Sequence, residues 1–409
     1  MKILREIQDK QYELLFKKGR PLEKLHPIYE ANDTFLFTPG KVTRGAVHVR
    51  DGIDLKRMMI TVVIALGPCM IWAMFNTGYQ AALAVEGGAQ PSAMWQASIF
   101  HSLGWGYDHA SILGDLFFGA LFYVPVYVVT LAAGGLVEVI FSVIRKHDIS
   151  EGFLVTSALF PLTLPPTIPL WEVALGIAFG VMLGKEVFGG VGMNFLNPAL
   201  VGRAFLFFAY PAQMTGDFVW IAARTTSDTY SGATLLTQAK VGGLHALQTS
   251  HYTWMESFVG LVPGSMGETS KLFCLFGAVV LILTGVGSWR TMAGCIGGVV
   301  VWSLVFNAIG SETNPMFAVP FWWHFVIGGF AFGAVFMATD PVSSAFTQTG
   351  KLIYGFGIGT MLLLIRVINP AYPEGMMLSI LFMNMFAPLI DYFLIKANER
   401  RRQARYAAE

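Results

Sequence analysis

Charge is what this sequence has least of. Of 409 residues only 13% are charged, while 54% are hydrophobic; a soluble globular chain carries about 25% charged residues. That scarcity excludes an ordinary soluble enzyme and a disordered chain, and leaves a polytopic membrane protein. The net charge of +1 gives no electrostatic case for nucleic acid as a partner. Cysteine is scarce too. Cys69, Cys274 and Cys295 each stand in an apolar stretch, none has metal-ligand spacing, and their number is odd. Neither a disulfide framework nor an iron–sulfur site within the chain is expected. No apolar core lies near the start, so no signal peptide is expected there. What the sequence has in quantity is glycine (44) and proline (19). In membrane helices these mark close packing or broken segments.

The fold predicted is all-α, with about ten transmembrane helices. Residues 1–56 form a polar, basic segment whose Phe16, Leu22, Ile28, Tyr29, Phe35 and Phe37 offer packing surface. Apolar runs follow at 57–76, within 112–144, and at 152–168, 170–188 and 195–211, giving a first membrane half over 57–211. A polar stretch, 212–270, separates them from runs at 271–288, 291–309, 320–338, 351–369 and 375–395. These make a second half over 271–395, and residues 396–409 are a basic tail. Two five-helix halves would be inverted relative to each other. Gly176-Ile-Ala-Phe-Gly180 resembles Gly329-Phe-Ala-Phe-Gly333, but those two runs fall on helices of the same direction, which points to helix packing rather than to a repeat.

Lysine and arginine orient the scheme. Residues 1–56 carry eleven of them and the loop 77–110 none. Arg145, Lys146 and Arg290 follow inner helix ends, and Lys396, Arg400, Arg401, Arg402 and Arg405 close the chain. Both termini are therefore expected in the cytoplasm, with 212–270 outside, in a bacterial inner membrane.

Each charge inside a span needs a reason, because a carboxylate at the bilayer centre costs at least about 2.5 kcal/mol. Glu138, Asp340 and Asp391 cluster on the inner side near Gly or Pro breaks, where they are either solvated or line a cation path. Asp115 and Glu172 are expected near outer ends, within reach of water. Arg203 either snorkels or pairs with a carboxylate, and Lys185-Glu186 reads as a solvated pair at a helix end. Two segments look like broken membrane helices, Leu164 to Pro169 and Gly189 to Pro198. Non-helical backbone survives at depth only against protein or a water-filled cavity. In the second, Asn194 and Asn197 either hold a polar-edged ring or simply cap a turn.

The external stretch holds Ser231-Gly232-Ala233-Thr234 followed by Thr237. Chemistry alone makes this a hydroxyl-rich turn before a helix. The motif resembles the flavinylation site of membrane flavoproteins, in which the threonine carries FMN through a phosphoester. The runs NFLNPAL at 194–200, RAFLFFAYP at 203–211, ATDPVS at 338–343, NPAYPEG at 369–375 and DLKR at 54–57 complete the likeness. The whole chain resembles the NqrB/RnfD family, and within it the NqrB subunits of the sodium-translocating NADH:quinone oxidoreductases.

That resemblance implies a six-subunit redox-driven pump that passes electrons to ubiquinone and exports Na⁺. It implies FMN on Thr234, installed by a flavin transferase, with riboflavin near Asn194 and Asn197. It implies a quinone and inhibitor region at Gly134, Gly135 and Glu138. It implies sodium uptake through Glu138, Asp340, Asp391 and Glu30. Partners would be the other subunits, ubiquinone and membrane lipid. Two rival readings remain. One is the RnfD subunit of an Rnf-type ferredoxin:NAD oxidoreductase, which lacks so long an N-terminal segment. The other is a flavin-free inverted-repeat transporter.

Overall fold

The computed structural model describes residues 2–17, 19–20, 22–27, 29–30, 33, 37, 55–146, 149, 152–225, 230–369 and 374–406. Ile28, Phe35, Asp54 and Pro370 to Pro373, named above, lie outside them.

Most of the described residues are helical. After α1 (Lys2–Gln11) come α2 (Leu55–Glu86), α3 (Trp95–Ser102), α4 (Ile112–Arg145), α5 (Gly152–Leu162), α6 (Leu170–Gly184) and α7 (Pro198–Ala209). The 212–270 stretch contributes α8 (Leu235–Thr249) and α9 (Trp254–Val259). Then follow α10 (Lys271–Leu283), α11 (Trp289–Ile309), α12 (Phe321–Val326), α13 (Gln348–Leu363) and α14 (Met376–Tyr406). Two residues on each side, Gln90–Pro91 and Ala223–Arg224, pair antiparallel. Five helices are long and apolar enough to cross a membrane: α2, α4, α11, α13 with its closing turn to Ile368, and α14. α5, α7 and α10 are apolar but shorter. Large apolar side chains stay exposed along the long helices, among them Leu113, Leu136 and Ile144 on α4, as a lipid-facing surface requires.

Local chemistry sets where these helices begin. A helix start leaves unpaired N–H groups, and a hydroxyl or amide side chain that accepts one is a cap. Ser111, Asn197, Thr234, Ser270, Ser288 and Thr347 do this for α4, α7, α8, α10, α11 and α13. Thr253 and Glu256 close a reciprocal capping box on α9.

Glycine sets how closely the helices approach. Gly294 and Gly298 on α11 face Gly355 and Gly359 on α13, and each touches the partner backbone. A Cβ on Gly298 would stand 2.5 Å from the Phe356 carbonyl oxygen, and one on Gly294 equally near that of Leu352. Both sequences are small-x-x-x-small, the spacing that lets helix backbones meet. Gly180 meets Pro198 and Gly202 in the same way, so the first of the two similar runs packs α6 on α7. The second has another use: Gly329 abuts the Glu268 carboxylate and Gly333 abuts Met376.

Several boundaries differ from the sequence expectation; α14, for one, runs to Tyr406, eleven residues past 395 and into the basic tail. The first apolar helix runs ten residues past 76, because its polar extension is satisfied internally. Asn76 Nδ2 donates to the Val262 carbonyl (3.0 Å), and Tyr252 Oη donates to Gln80 Oε1 (3.2 Å). The run 320–338 is not one helix. It breaks at Ile327–Gly329, with Gly328 at φ +63°, before a wider turn over Gly333–Met337. Charged side chains stabilise the break. Arg366 Nη1 donates to the His324 carbonyl (3.1 Å) at the end of α12, and the Gly329 N–H donates to Glu374 Oε1 (2.9 Å). The other interrupted segment, after α5, is bridged from 212–270: Gly267 N–H donates to the Leu162 carbonyl (2.8 Å) and Met266 N–H to that of Leu164 (3.1 Å). Residues 265–270 are consequently buried between the two breaks, although they belong to the polar stretch.

Candidate functional site

Two clefts flank the α6–α7 pair. α7 is 12 residues long, so its ends are about 18 Å apart. One cleft, near its C-terminal end, contains Thr234. The other, at its N-terminal end, contains Asn194, Asn197, Asp340 and Lys185.

The Thr234 cleft, open to solvent, spans about 1250 Å³ with that open space included, and is lined by Arg203, Phe207, Phe208, Asp217, Trp220, Thr237, Lys240 and Glu374, among others. Thr234 is the N-cap of α8. Its Oγ1 accepts the Thr237 N–H (3.3 Å) and lies 3.1 Å from Thr237 Oγ1. Ser231 Oγ accepts the Ala233 N–H, and the Ala233 carbonyl accepts from Gln238 Nε2. Gly232 sits where a Cβ would collide with the Asp217 carbonyl, so the loop needs glycine there. The motif residues thus form one turn that presents the Thr234 hydroxyl at the start of α8, which kinks at Gly243 (φ +59°). An anion esterified there would lie at the favourable end of the helix dipole.

A second recess of about 450 Å³ runs from Thr234 to Glu268 and Lys271. Arg203 Nη1 donates to Glu268 Oε1 (2.9 Å), and Arg203 Nη2 to Ser265 Oγ (3.3 Å). The Lys271 ammonium donates to the carbonyls of Glu268 and Thr269 (3.1 and 2.9 Å). Arg203 therefore pairs rather than snorkels. Its partner is hidden in the sequence, because Glu268 falls in the stretch that reads as an external loop. Arg366 does leave a signal, a cation inside the apolar run 351–369, and it is fully buried.

The second cleft spans about 710 Å³, open space included, and is mostly apolar, with Met58, Val62, Leu159 and Phe336 beside the polar residues. Asn194 Nδ2 donates to the Leu196 carbonyl (2.9 Å), while its buried Oδ1 has no hydrogen-bond partner among the described residues. Asn197 Oδ1 accepts from the N–H groups of Ala199 and Leu200 as the cap of α7; its Nδ2 reaches Asp340 Oδ2 at 3.4 Å. Asp340 also accepts from the Val342 N–H (3.0 Å) and the Ser343 hydroxyl (2.8 Å).

Glu138 adjoins this cleft through Lys185. The Lys185 ammonium is paired with Glu138 and lies 3.5 Å from Glu186 Oε1. Lys185 and Glu186 are each only 2% exposed, so the expected solvated pair is instead a buried one. Arg145 Nη1 donates to the Glu186 carbonyl and holds the turn after α6 against the end of α4. Gly134, one turn before Glu138, is buried against Phe153 and Ile177; Gly135 lies beside that contact, half-buried. Asp115 and Glu172, expected near water, are buried as well. Asp115 lies at the α2–α4 crossing, where its backbone touches Gly78, and both Glu172 oxygens lack a hydrogen-bond partner among the described residues.

Asp391 is not part of the cleft lining. Its oxygens accept from the Phe346 and Thr347 N–H groups (2.6 and 3.0 Å) and from the Thr347 hydroxyl (2.6 Å), tying α14 to the start of α13. Glu30 lies half-buried in the N-terminal segment, near the packed rings of Tyr12, Phe16 and Tyr29 in sequence and fold. That segment packs on α4 through Glu23–Leu25. Asp340 thus lines this cleft and Glu138 adjoins it through Lys185, while Asp391 and Glu30 stand elsewhere.

The family model described as NQR2, RnfD, RnfE matches residues 42–400. A Pseudomonas paraeruginosa protein, named as the B-subunit of the Na(+)-translocating NADH-quinone reductase, is 56% identical over 407 residues, covering 98% of this chain and 99% of its own. Proteins of the same name from Azotobacter vinelandii and Chromohalobacter salexigens are 55% and 53% identical. They cover 98% and 96% of this chain, and 99% and 94% of their own.

Proposed function

The chain belongs to the NQR2, RnfD, RnfE family, and from that premise we propose that it is the membrane subunit of a Na⁺-translocating NADH:quinone reductase, carrying FMN on Thr234 and riboflavin in the Asn194/Asn197 cleft. The family model itself spans both redox complexes; the names of the near-full-length relatives favour the quinone reductase over the Rnf type. The observation that carries the flavin assignment is Thr234, whose hydroxyl caps a helix at the edge of a cleft with a nearby lysine and aromatic side chains.

The residues present suit both groups. At Thr234, the helix N-terminus and Lys240 favour a phosphate, and Trp220, Phe207 and Phe208 offer faces for a flat ring. An ester oxygen at Thr234 can still accept the Thr237 N–H, so attachment need not uncap α8. In the other cleft, the free acceptor on Asn194 and the amide hydrogens on Asn197 suit the polar edge of a ring held between apolar walls. When bound, flavins supply one- and two-electron transfer; the protein supplies position and electrostatics.

Glu138 and Asp340 are the carboxylates we assign to the Na⁺ path. Asp391 and Glu30 belong to the same proposal, with Asp391 also holding α13 in place. Gly134 and Gly135, on the helix that bears Glu138, mark the quinone region. We place the chain in a bacterial inner membrane with both termini in the cytoplasm and Thr234 outside, among the other five subunits of a six-subunit complex, with a flavin transferase as maturation partner. The shorter apolar helices join the long ones in about ten spans forming two inverted halves. Supporting this, interrupted segments fall at the third position of each half, after α5 and after α12.

The test is a denaturing gel viewed under ultraviolet light, after co-expression with the flavin transferase. A fluorescent band is expected for the parent chain and none for Thr234→Ala. A band that survives the substitution, or no band at all, removes the covalent-FMN claim. The second outcome would favour a flavin-free transporter. Ubiquinone reduction by the assembled complex separates the quinone reductase from the Rnf type.

A further inference from the structure

Lys185 contacts one of the carboxylates assigned to the sodium path and lines the cleft that contains the other. Its ammonium is paired with Glu138 on α4, and its side chain lines the cleft that also contains Asp340 and Asn197. It is 2% exposed, so its contact with Glu138 is shielded from water. The backbone around it is not helical: Lys185 follows the last turn of α6, at φ −135° and ψ −62°, and precedes the short turn Glu186–Phe188.

A carboxylate oxygen held by an ammonium is closed to another monovalent cation at the same position. Both are compact charges of +1, and both would take the same lone pairs. The competition is unequal, because a tethered group acts at an effective concentration of about millimolar or above. A free cation reaches Glu138 only when present at a level that outweighs the tether.

Resting on the sodium-pump reading above, we propose that Lys185 is a built-in competitor for the transported cation at Glu138. The ammonium occupies the carboxylate when no cation is bound, and turns within the cleft toward Asp340 when one enters. Lys185 thereby sets the sodium concentration at which the pump half-saturates, and it returns to Glu138 to expel the ion.

The test uses the purified complex, with NADH:ubiquinone reductase rate measured against Na⁺ at constant ionic strength. Lys185→Gln removes the competitor. The half-saturating Na⁺ concentration should fall at least about tenfold, since a unit charge within about 4 Å is worth more than that even in a partly polar interior. Lys185→Arg keeps the charge and grips a carboxylate through two N–H groups, so half-saturation should rise. In a Glu138→Gln background, Lys185→Gln should add no further shift. Unchanged half-saturation in either single variant overturns the proposal, as does a full shift that persists without Glu138. If Lys185→Gln fails to assemble, the direction of the Lys185→Arg shift decides alone. A parent complex whose rate ignores sodium would overturn the pump reading together with this inference, whereas a sodium-dependent parent with unmoved variants overturns only the inference.

Discussion

At the scale of single residues, the chain pairs several of its interior charges with one another or with backbone groups, Glu172 being an exception among the described residues. Arg203 and Glu268 show the consequence most directly. Both are buried and bonded at 2.9 Å, and removing one partner of such a pair costs about 3–5 kcal/mol. Glu268→Gln should therefore lower the yield and thermal stability of the assembled complex, and Arg203→Met combined with Glu268→Met should recover part of the loss. Stability of the double variant below both singles would mean that the pair is not what the site needs. Arg203 was legible as an interior charge because it interrupts an apolar run. Glu268 was not, because a carboxylate in a polar stretch carries no sign of burial. The same blindness affects Lys185-Glu186, which a helix end and a Gly-rich turn make look solvated.

At the scale of elements, glycine and charge divide the work of shaping helices that cannot use water. Where α11 meets α13, four glycines bring backbones into contact. Gly298→Leu forces those helices apart and should destabilise by about 1–3 kcal/mol or more. Gly67→Ala on α2, where nothing stands within 4 Å of the added carbon, is the matched substitution that should leave thermal stability unchanged. At the break after α12, Glu374→Ala leaves the Gly329 N–H without its acceptor and should cost about 1–3 kcal/mol; complex assembly during thermal unfolding reads both effects. The Pro-rich break after α5 was visible in Leu164-Pro165-Pro166-Thr167. The break after α12 was not, because Gly328-Gly329 inside an apolar run is equally compatible with close helix packing.

At the scale of the whole molecule, the 212–270 stretch does two things at once. Its first part presents Thr234 at a cleft, and its last part, 262–270, enters the core and supplies Glu268 between the two breaks. The orientation proposed above is open to a labelling experiment. Val241→Cys, at a site 78% exposed, should react with a membrane-impermeant maleimide from outside intact cells. Gln403→Cys, on the exposed end of α14, should react only after the membrane is opened. The three native cysteines are buried and should contribute little background. Labelling of both sites from the same side would remove the orientation.

The sequence by itself determined that this is a helical membrane chain, where most helices begin, and which turn offers a threonine for attachment. Those features are local: apolar runs, capping side chains and a four-residue motif act over neighbouring positions. Only the tertiary structure decided which charges meet. The Arg203–Glu268 pair, the Arg366 and Glu374 supports of the second break, and the Lys185–Glu138 contact each join residues far apart in the chain. Burial makes those partners energetically decisive, and burial is a property of the packed molecule rather than of any stretch of sequence.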